Sequence, residues 1–458
     1  MSTFTSLFTS ASGMHASRRA LEVIANNIAN ANTPGYKRQQ LILLEGNPRT
    51  NQFANEANLA TFTGTGVHVA GIRRMQDAYL DNRIAEATHS GARWNITRDT
   101  LQSVQALFAE PGTNGVSNLL DQFWNKWSQL ASTPDSVPAR ADVLTASGTL
   151  ADRVKEIYSN LRTMQQQLDV TVRNRVEEIN RIAADIAEVN EKIVAIEIGG
   201  AAPNELLNRR EELVEQLSKI VSVRTYGQSG GDFMLSVNGV TMVQGMRVRE
   251  MGTTIDSDNR VQPVWAEDNS PVWVTSGELK GILDVRDGFL KDYLNRMDVV
   301  VETLVTEVNT IHKQGFSLGG QTGLDFFTAG STAANFSVNT QLMQDPTLVA
   351  ASASGLQSNP DIAQQISDLR NSKLIGEETI SQSYRSLISK LGGDVSIAER
   401  SSITRDYTLQ QLVKQRESLS GVSLDDEMLD IVRFQQSFMA SARVFEATNY
   451  VLETLLKS

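Results

Sequence analysis

The stretch that decides the fold is residues 424–456, LDDEMLDIVRFQQSFMASARVFEATNYVLETLL. Leu424, Ile431, Phe438, Phe445 and Leu452 recur every seven residues, and Met428, Gln435, Ala442, Asn449 and Leu456 fall between them at the alternating four-and-three spacing of a coiled-coil seam. Ser423 precedes the run with Asp426 three residues on, a capping-box spacing in which hydroxyl and carboxylate satisfy free backbone N–H groups. Asp425 and Glu427 suit the positive end of such a helix. The spacing therefore predicts a helix with a defined start that needs a partner. Leu429, Val432, Met439, Val444, Val451 and Leu455 lie off the seam and are more than one partner helix covers. That surplus leaves two readings open, an ordinary intramolecular bundle and an oligomerising face.

The first thirty residues supply the counterpart: Leu7, Met14, Leu21 and Ile28 at sevens, with Ala11, Arg18 and Ala25 between them. A single helix of this kind is marginal in water, because burial of its apolar stripe supplies most of its stability. The two ends are expected to pair, which makes everything between them an insertion and brings the termini together. The first helix is expected over 4–32. Asn26, Asn27, Asn30 and Asn32 weaken its end, and Thr33-Pro34-Gly35-Tyr36 stops it. Pro34 drives Thr33 out of the helical region, and Pro34-Gly35 fits the centre of a type II turn, where glycine supplies positive φ.

Asn- and Gly-rich extended sequence follows to Gly66, then a strand-like alternation through Val67, Val69 and Ile72. A helix is expected over 76–109, ended by Glu110-Pro111-Gly112, and another around Trp124 and Trp127, which read as core. Between Pro138 and Pro203 lies one very long helix, with Leu150, Val154, Ile157, Leu161, Met164 and Leu168, then Val172, Val176, Ile179, Ile182, Ile186, Val189, Ile193 and Ile196 on one side. The steps of four, four and three from Leu168 to Ile179 insert an eleven-residue stutter in a seven-residue repeat, which locally unwinds a supercoil. At 1.5 Å per residue, 150–196 would span roughly 70 Å, so an elongated middle is expected. A shorter helix is predicted over 204–220. Residues 221–274 turn to β character, with Asn238-Gly239 as a hairpin turn. Helix resumes over 277–312, and a glycine-rich loop 315–323 leads to a mixed segment ending at Pro360. Residues 362–419 are expected to be helical with a break at Gly392-Gly393. The fold class is thus mainly α with a β-rich insert, elongated and multidomain, with a long-helix bundle in the middle. Residues 1–36 with 422–458 form a terminal coiled-coil domain, 37–221 with 276–421 a mostly helical middle domain, and 222–275 a small inserted β-rich domain.

The chain has 458 residues, 40% hydrophobic and 21% charged, an ordinary globular balance with room for several cores. A net charge of -11 argues against nucleic-acid or anionic-membrane partners. The absence of cysteine excludes thiol catalysis, thiolate metal sites and disulfides. No window spans a bilayer, and the polar N-terminus lacks the features of a cleaved signal, so export would need another route. Gly227-Gln228-Ser229-Gly230-Gly231 matches a nucleophile elbow, but a strand rather than a helix is expected after it. Asp256, Asp258 and Glu267 fall at positions one, three and twelve of a calcium loop whose central glycine is replaced by Val261. That segment reads as a solvated loop. His15, His68, His89 and His312 are scattered and read as surface or helix-face residues. No catalytic, metal or cofactor residues are expected, and the chain reads as non-enzymatic.

The stretch Ala25-Asn-Asn-Ile-Ala-Asn-Ala-Asn-Thr-Pro-Gly-Tyr-Lys-Arg38 resembles the N-terminal signature of the bacterial flagellar rod and hook family. Within it, Ser420-Gly-Val-Ser-Leu-Asp-Asp-Glu427, Arg433-Phe-Gln-Gln436 and Ala440-Ser-Ala-Arg443 resemble the tail of the hook-associated junction proteins. Leu206-Leu-Asn-Arg-Arg-Glu-Glu-Leu213 and Val243-Gln-Gly245 are similar to their middle region. The resemblance implies a structural subunit exported unfolded by the flagellar type III system, assembling extracellularly through its terminal helices. It implies self-association in a ring layer between the hook protein and a second junction protein, and a cytoplasmic chaperone on the C-terminal region before export. Longer relatives carry a further large domain after the segment like Leu324-Asp-Phe-Phe327, where this chain has only 328–360. The residues alone also admit a secreted coiled-coil adhesin or effector, or another axial rod or hook subunit.

Overall fold

The computed structural model describes residues 2–33, 35–46, 64–227 and 229–457. Pro34, Gln228 and the Asn-rich stretch within 47–63 lie outside the described residues, as do the side chains of Leu455 and Leu456. In chain order the elements are α1 (Ser2–Ala29), β1 (Gln39–Glu45), β2 (Val67–Arg74), α2 (Ala78–Phe108), α3 (Val116–Ser132), α4 (Val137–Ile198) and α5 (Asn204–Ile220). Six strands follow: β3 (Val223–Tyr226), β4 (Met234–Val237), β5 (Val240–Gln244), β6 (Arg247–Val248), β7 (Met251–Ile255) and β8 (Val261–Trp265). Then come α6 (Glu278–Asp284), a π turn (Val285–Phe289), α7 (Leu290–His312), α8 (Thr340–Gln344) and α9 (Asp361–Asp368). The chain finishes with β9 (Lys373–Ile375), β10 (Glu378–Thr379), α10 (Ile380–Ser420) and α11 (Leu424–Lys457). The protein is mainly α with small sheets, as its periodicity predicts.

Two units contain these elements: Met1–Thr88 with Ile179–Glu250 and Asp406–Ser458, and His89–Glu178 with Met251–Arg405. In the first, α1 and α11 pair along their lengths. The β1–β2 hairpin docks on α1, where the Val67 N–H donates to Ser12 Oγ at 3.2 Å. Gly66, at φ 90°, sits where a Cβ would fall 2.2 Å from Ser12 Oγ and 3.2 Å from Thr9 Cα, so a larger residue cannot replace it there. A four-stranded antiparallel sheet, β3-β4-β5-β6, turns at Asn238 and Gly239, both at positive φ, as a type I′ hairpin requires. On α4, Ile182, Ile186 and Ile193 are buried, following the long-helix stripe. Its solvent-exposed end is Ile196.

The second unit is built on a stacked aromatic core. Phe123 and Trp127 of α3 meet the Phe326–Phe327 pair and Trp124 packs on Phe123, with Trp127 to Phe326 at 5.0 Å and Phe326 to Phe327 at 4.8 Å, edge to face. The Asn309 side chain holds that aromatic pair in place, its Oδ1 accepting from both backbone N–H groups at 2.9 Å and its Nδ2 donating to the Phe327 carbonyl at 3.0 Å. On α4, Leu150, Val154, Ile157, Leu161, Leu168, Val172 and Val176 are buried here, so the four-residue steps of the stutter are visible in the packing. The β7–β8 ladder also belongs to this unit, so residues 222–275 contribute strands to both units.

Three local readings change. Residues 362–419 are not one broken helix: α9 ends at Asp368, a β9–β10 hairpin intervenes, and α10 runs through Gly392-Gly393. Each glycine costs about 1 kcal/mol in a helix, but Leu391, Val395 and Ala398 on the same turns are buried, and that burial outweighs it. The segment after the first turn forms β1, paired with β2 in register from Gln39–Arg74 to Glu45–Val67 with a bulge at Ile42 and Leu43. The 272–274 run makes no strand, only one bridge from Pro271 to Val264.

Candidate assembly site

The terminal helices meet through a face set one step round from the seam that the spacing predicts. On α11, Ile431, Phe438, Phe445 and Leu452 turn inward and are half-buried, as expected. Their companions are Glu427, Phe434, Ser441 and Thr448; of the expected companions Ala442 is half-buried beside Ser441, whereas Gln435 and Asn449 are exposed, Met428 is 56% exposed and Leu424 is also exposed. On α1, Leu7, Met14, Leu21 and Ile28 are half-buried, and Arg18 and Ala25 are exposed. The positions most removed from solvent there are Ser10, Ala16, Ser17, Ala20, Val23, Ile24 and Asn27. Small side chains let the axes approach: a Cβ on Gly13 would lie 2.8 Å from Ser441 Oγ.

One end of the pair is closed by a polar knot built from the signature turn. Gly35 has φ 77° and the Tyr36 N–H donates to the Thr33 carbonyl at 3.2 Å, which closes the turn. The Asn30 side chain donates to the Asn26 carbonyl at 3.0 Å and accepts from Thr33 Oγ1 at 3.2 Å. Tyr36 folds back so that its hydroxyl donates to Asn26 Oδ1 and Asn27 Oδ1, both at 2.8 Å. Burial, with the carboxylates of Glu427 and Glu205 nearby, pushes the Tyr36 phenol up to about 12, so it remains a donor. Asn27 Oδ1 also accepts from the Gln39 N–H at 2.9 Å, while its Nδ2 donates to the Gln39 carbonyl at 2.9 Å and to Glu427 Oε2 at 3.2 Å. Arg38 completes the knot: Nε donates to Glu427 Oε1 at 2.6 Å, Nη2 reaches Asp430 at 3.3 Å, and its backbone N–H donates to the Ser420 carbonyl at 2.9 Å. The Glu427 side chain is 0% exposed. Thus Asn26, Asn27 and Asn30, three of the four asparagines that weaken the helix end, each carry a hydrogen-bonding task.

The next residue, Lys37, ties the turn to the body of its unit. Its ammonium, nearly buried, lies 2.7 Å from both Asp81 of α2 and Glu211 of α5. Arg74 of β2 reaches Glu211 at 3.0 Å and donates to Asn208 at 2.8 Å. Burial pushes the Glu211 carboxyl up, but Lys37 and Arg74 outweigh it and hold it below the usual carboxylate range. Beside it, burial lowers Arg210 to about 10, still charged at neutral pH; its guanidinium lies 4.1 Å from the Phe233 ring centre and donates to Asn190 at 3.0 Å. A cavity of about 430 Å³ lined by Arg93, Trp94, Asp284 and Lys390 occurs in the second unit, and a larger one of about 730 Å³ adjoins Tyr36, Lys37 and Arg74 in the first. Sequence reasoning did not foresee Lys37, Arg74, Glu211 or Glu427 as partners. Their signal lay in the quoted signature stretches, which contain Lys37, Arg38, Glu211 and Glu427, but nothing in spacing reveals which charges meet.

Among the described residues, no group of three or more His, Asp or Glu side chains is arranged to hold a metal ion, and no helix is long and apolar enough to cross a membrane. Ser229 lies between β3 and β4, donates to Glu197 at 3.1 Å and is exposed. The Asp256 carboxylate caps the β7–β8 turn, accepting from the Asp258 and Arg260 N–H groups at 2.9 Å. Of the two readings left open for the histidines, His312 takes the helix-face one: it is the last residue of α7 and is buried among the aromatic residues of the second unit. Its neighbour Phe326 is what draws it inward, 5.4 Å between ring centres.

The chain is similar to known flagellar proteins over most of its length. Residues 101–327 match the family described as flagellar hook-associated protein FlgK helical domain, and residues 7–37 match the family described as flagella basal body rod protein. The chain is 26% identical to flagellar hook-associated protein 1 of Salmonella typhimurium, with 97% of this chain and 98% of the relative aligned. It is likewise 26% identical to flagellar hook-associated protein 1 of Bacillus subtilis, over 99% of this chain and 98% of the relative. The fold matches the structure of the flagellar hook junction protein FlgK from Burkholderia pseudomallei with a TM-score of 0.66 at 14% identity, covering 75% of this chain and all of that one. Residues 101–327 thus carry the helical domain of the flagellar hook-associated protein FlgK family, and nearly the whole chain is similar to flagellar hook-associated protein 1.

Proposed function

We propose that the chain is a structural subunit of the bacterial flagellum at the junction between hook and filament, assembling through its terminal helices. The observation that carries this reading is the face of α11 that α1 leaves uncovered. Leu424, Met428, Leu429, Val432, Met439 and Val444 are all exposed, Leu429 at 70%, although a soluble helix pair gains by hiding such residues. Phe4 and Phe8 of α1 are exposed as well. Neighbouring copies packed in a ring layer would cover this face, each Leu or Phe contributing roughly 1.5–3 kcal/mol. On this reading, residues 1–36 with 422–458 form the assembling part, while 37–221 with 276–421 and 222–275 form the outer body. The hook protein lies on one side of the ring and a second junction protein on the other.

The uncovered face also accounts for a chaperone on the C-terminal region before export by the flagellar type III system, since a free apolar helix would otherwise associate at random. The function requires no catalysis, and the subunit acts outside the cell. The test replaces Val432 and Met439 by Ser, which leaves the α1-facing side of α11 untouched. The doubly substituted protein should keep its helical signal and lose incorporation at the hook tip. Normal incorporation would overturn the role assigned to this face.

A further inference from the structure

We propose that the buried Glu427, paired with Arg38 and Asn27, selects which face of α11 turns toward α1 and hence which apolar face is left outside. The helix offers two nearly equivalent inward faces. Both contain Ile431, Phe438, Phe445 and Leu452; they differ in whether Glu427, Phe434, Ser441 and Thr448 or Met428, Gln435, Ala442 and Asn449 accompany them. Each set mixes one or two large apolar groups with polar or small ones, so apolar burial by itself discriminates weakly between two settings that differ by a partial turn. What separates them is the charge.

In the observed setting Glu427 is the one fully buried residue among the described residues of α11. Its Oε1 lies 2.6 Å from Arg38 Nε and its Oε2 3.2 Å from Asn27 Nδ2, so both carboxylate oxygens have donors. Turning Met428 inward would carry this carboxylate away from both donors, leaving half-buried Arg38 without its closest carboxylate and buried Asn27 with one N–H unmatched. Buried ionic groups of this kind add little net stability but penalise the alternative arrangement. Arg38 is itself fixed by its backbone bond to Ser420 at the end of α10, so the reference point does not follow the helix round. The consequence for function rests on reading the uncovered face as the assembly surface, but the selection itself is a property of the single chain.

The chain has no cysteine, which makes a disulfide reporter clean. A Cβ on Gly13 would lie 3.6 Å from Ser441 Cβ, inside the separation of about 3.5–4.5 Å that a disulfide needs. Gly13→Cys with Ser441→Cys therefore reports the observed face, and Gly13→Cys with Ala442→Cys reports the alternative. In the otherwise native monomer the first pair should oxidise at least about tenfold faster than the second. In Glu427→Met, and in the Arg38→Met/Glu427→Met variant that leaves no charge stranded, the ratio should fall toward one. A ratio unchanged in the double variant would overturn the proposal, because apolar packing would then choose the face. Loss of both cross-links in that variant would overturn it equally, because the charged pair would be holding the helices together rather than choosing between two apolar faces.

Discussion

His312 gives the second unit a stability that depends on pH. Its Nε2 accepts from the Ala350 N–H at 2.9 Å, so Nδ1 carries the proton and donates to the Leu324 carbonyl at 2.8 Å. Burial lowers its pKa from 6.5 to about 4, the nearby Arg140 charge working in the same direction, against the Leu324 carbonyl and Asp325. A proton added at Nε2 would face the Ala350 N–H, donor against donor. The folded-state pKa lies below the unfolded one, so the contribution is present above pH 6.5, declines as the pH falls, and is lost below about 4. Across that window the loss amounts to about 3 kcal/mol. His312→Gln removes the titration. Urea unfolding followed by tryptophan fluorescence reads the result, since the Trp127 ring lies 6.4 Å from the imidazole. At pH 7.5 the variant should be less stable by about 2–3 kcal/mol, because the Ala350 and Leu324 groups lose well-placed partners. By pH 4.5 the gap between variant and parent should have nearly closed. A gap that stays constant from pH 7.5 to 4.5 would refute the reasoning.

Three further perturbations probe the first unit. Replacing Phe438 and Phe445 by Ser removes two of the three aromatic groups that α11 sets against α1, and should abolish incorporation at hooks while leaving the aromatic core of the second unit unfolding at its usual urea concentration; a shift in that transition would contradict the assignment. Lys37→Met strips Glu211 and Asp81 of a nearly buried cation and should destabilise the first unit by about 3 kcal/mol, whereas no measurable change in urea would show the cluster to be ornamental. Gly421→Ala places a Cβ 2.3 Å from the Glu417 carbonyl oxygen, so the α10–α11 connection must shift; faster amide exchange at 420–427 is expected, and unchanged exchange would mean the turn yields at no cost.

Periodicity carried far in this chain because its stabilising contacts are mostly helix faces. The stripe from Leu150 to Ile193 is buried along α4 nearly as spaced, with Ile196 beyond it in solvent, and Asn204–Ile220 forms a helix with the bounds its residues suggest. Residues chosen by an apolar template were reliable where one face is much more apolar than its neighbour. On α11 no face is, and the template chose Met428 where the structure turns in Glu427, since the partner that decides the matter, Arg38, lies 389 residues away. The same limit hid β1: its ladder partner follows the Asn-rich stretch, and Leu41-Ile42-Leu43-Leu44 lacks the strict alternation of a half-buried strand. Gly392-Gly393 misled in the opposite direction, because helix propensity is a local quantity and burial of Leu391, Val395 and Ala398 is not. That the helix face carrying His312 is a buried one was not legible, because nothing adjacent in sequence shows that Phe326 and Trp127 close over it.

The most direct test of the account is to incubate the purified protein with isolated hooks and image the complexes by electron microscopy. The account predicts caps confined to the distal tip of the hook, absent when Val432 and Met439 are replaced by Ser. A folded preparation that leaves hook tips bare, or decorates the hook along its length, would contradict it.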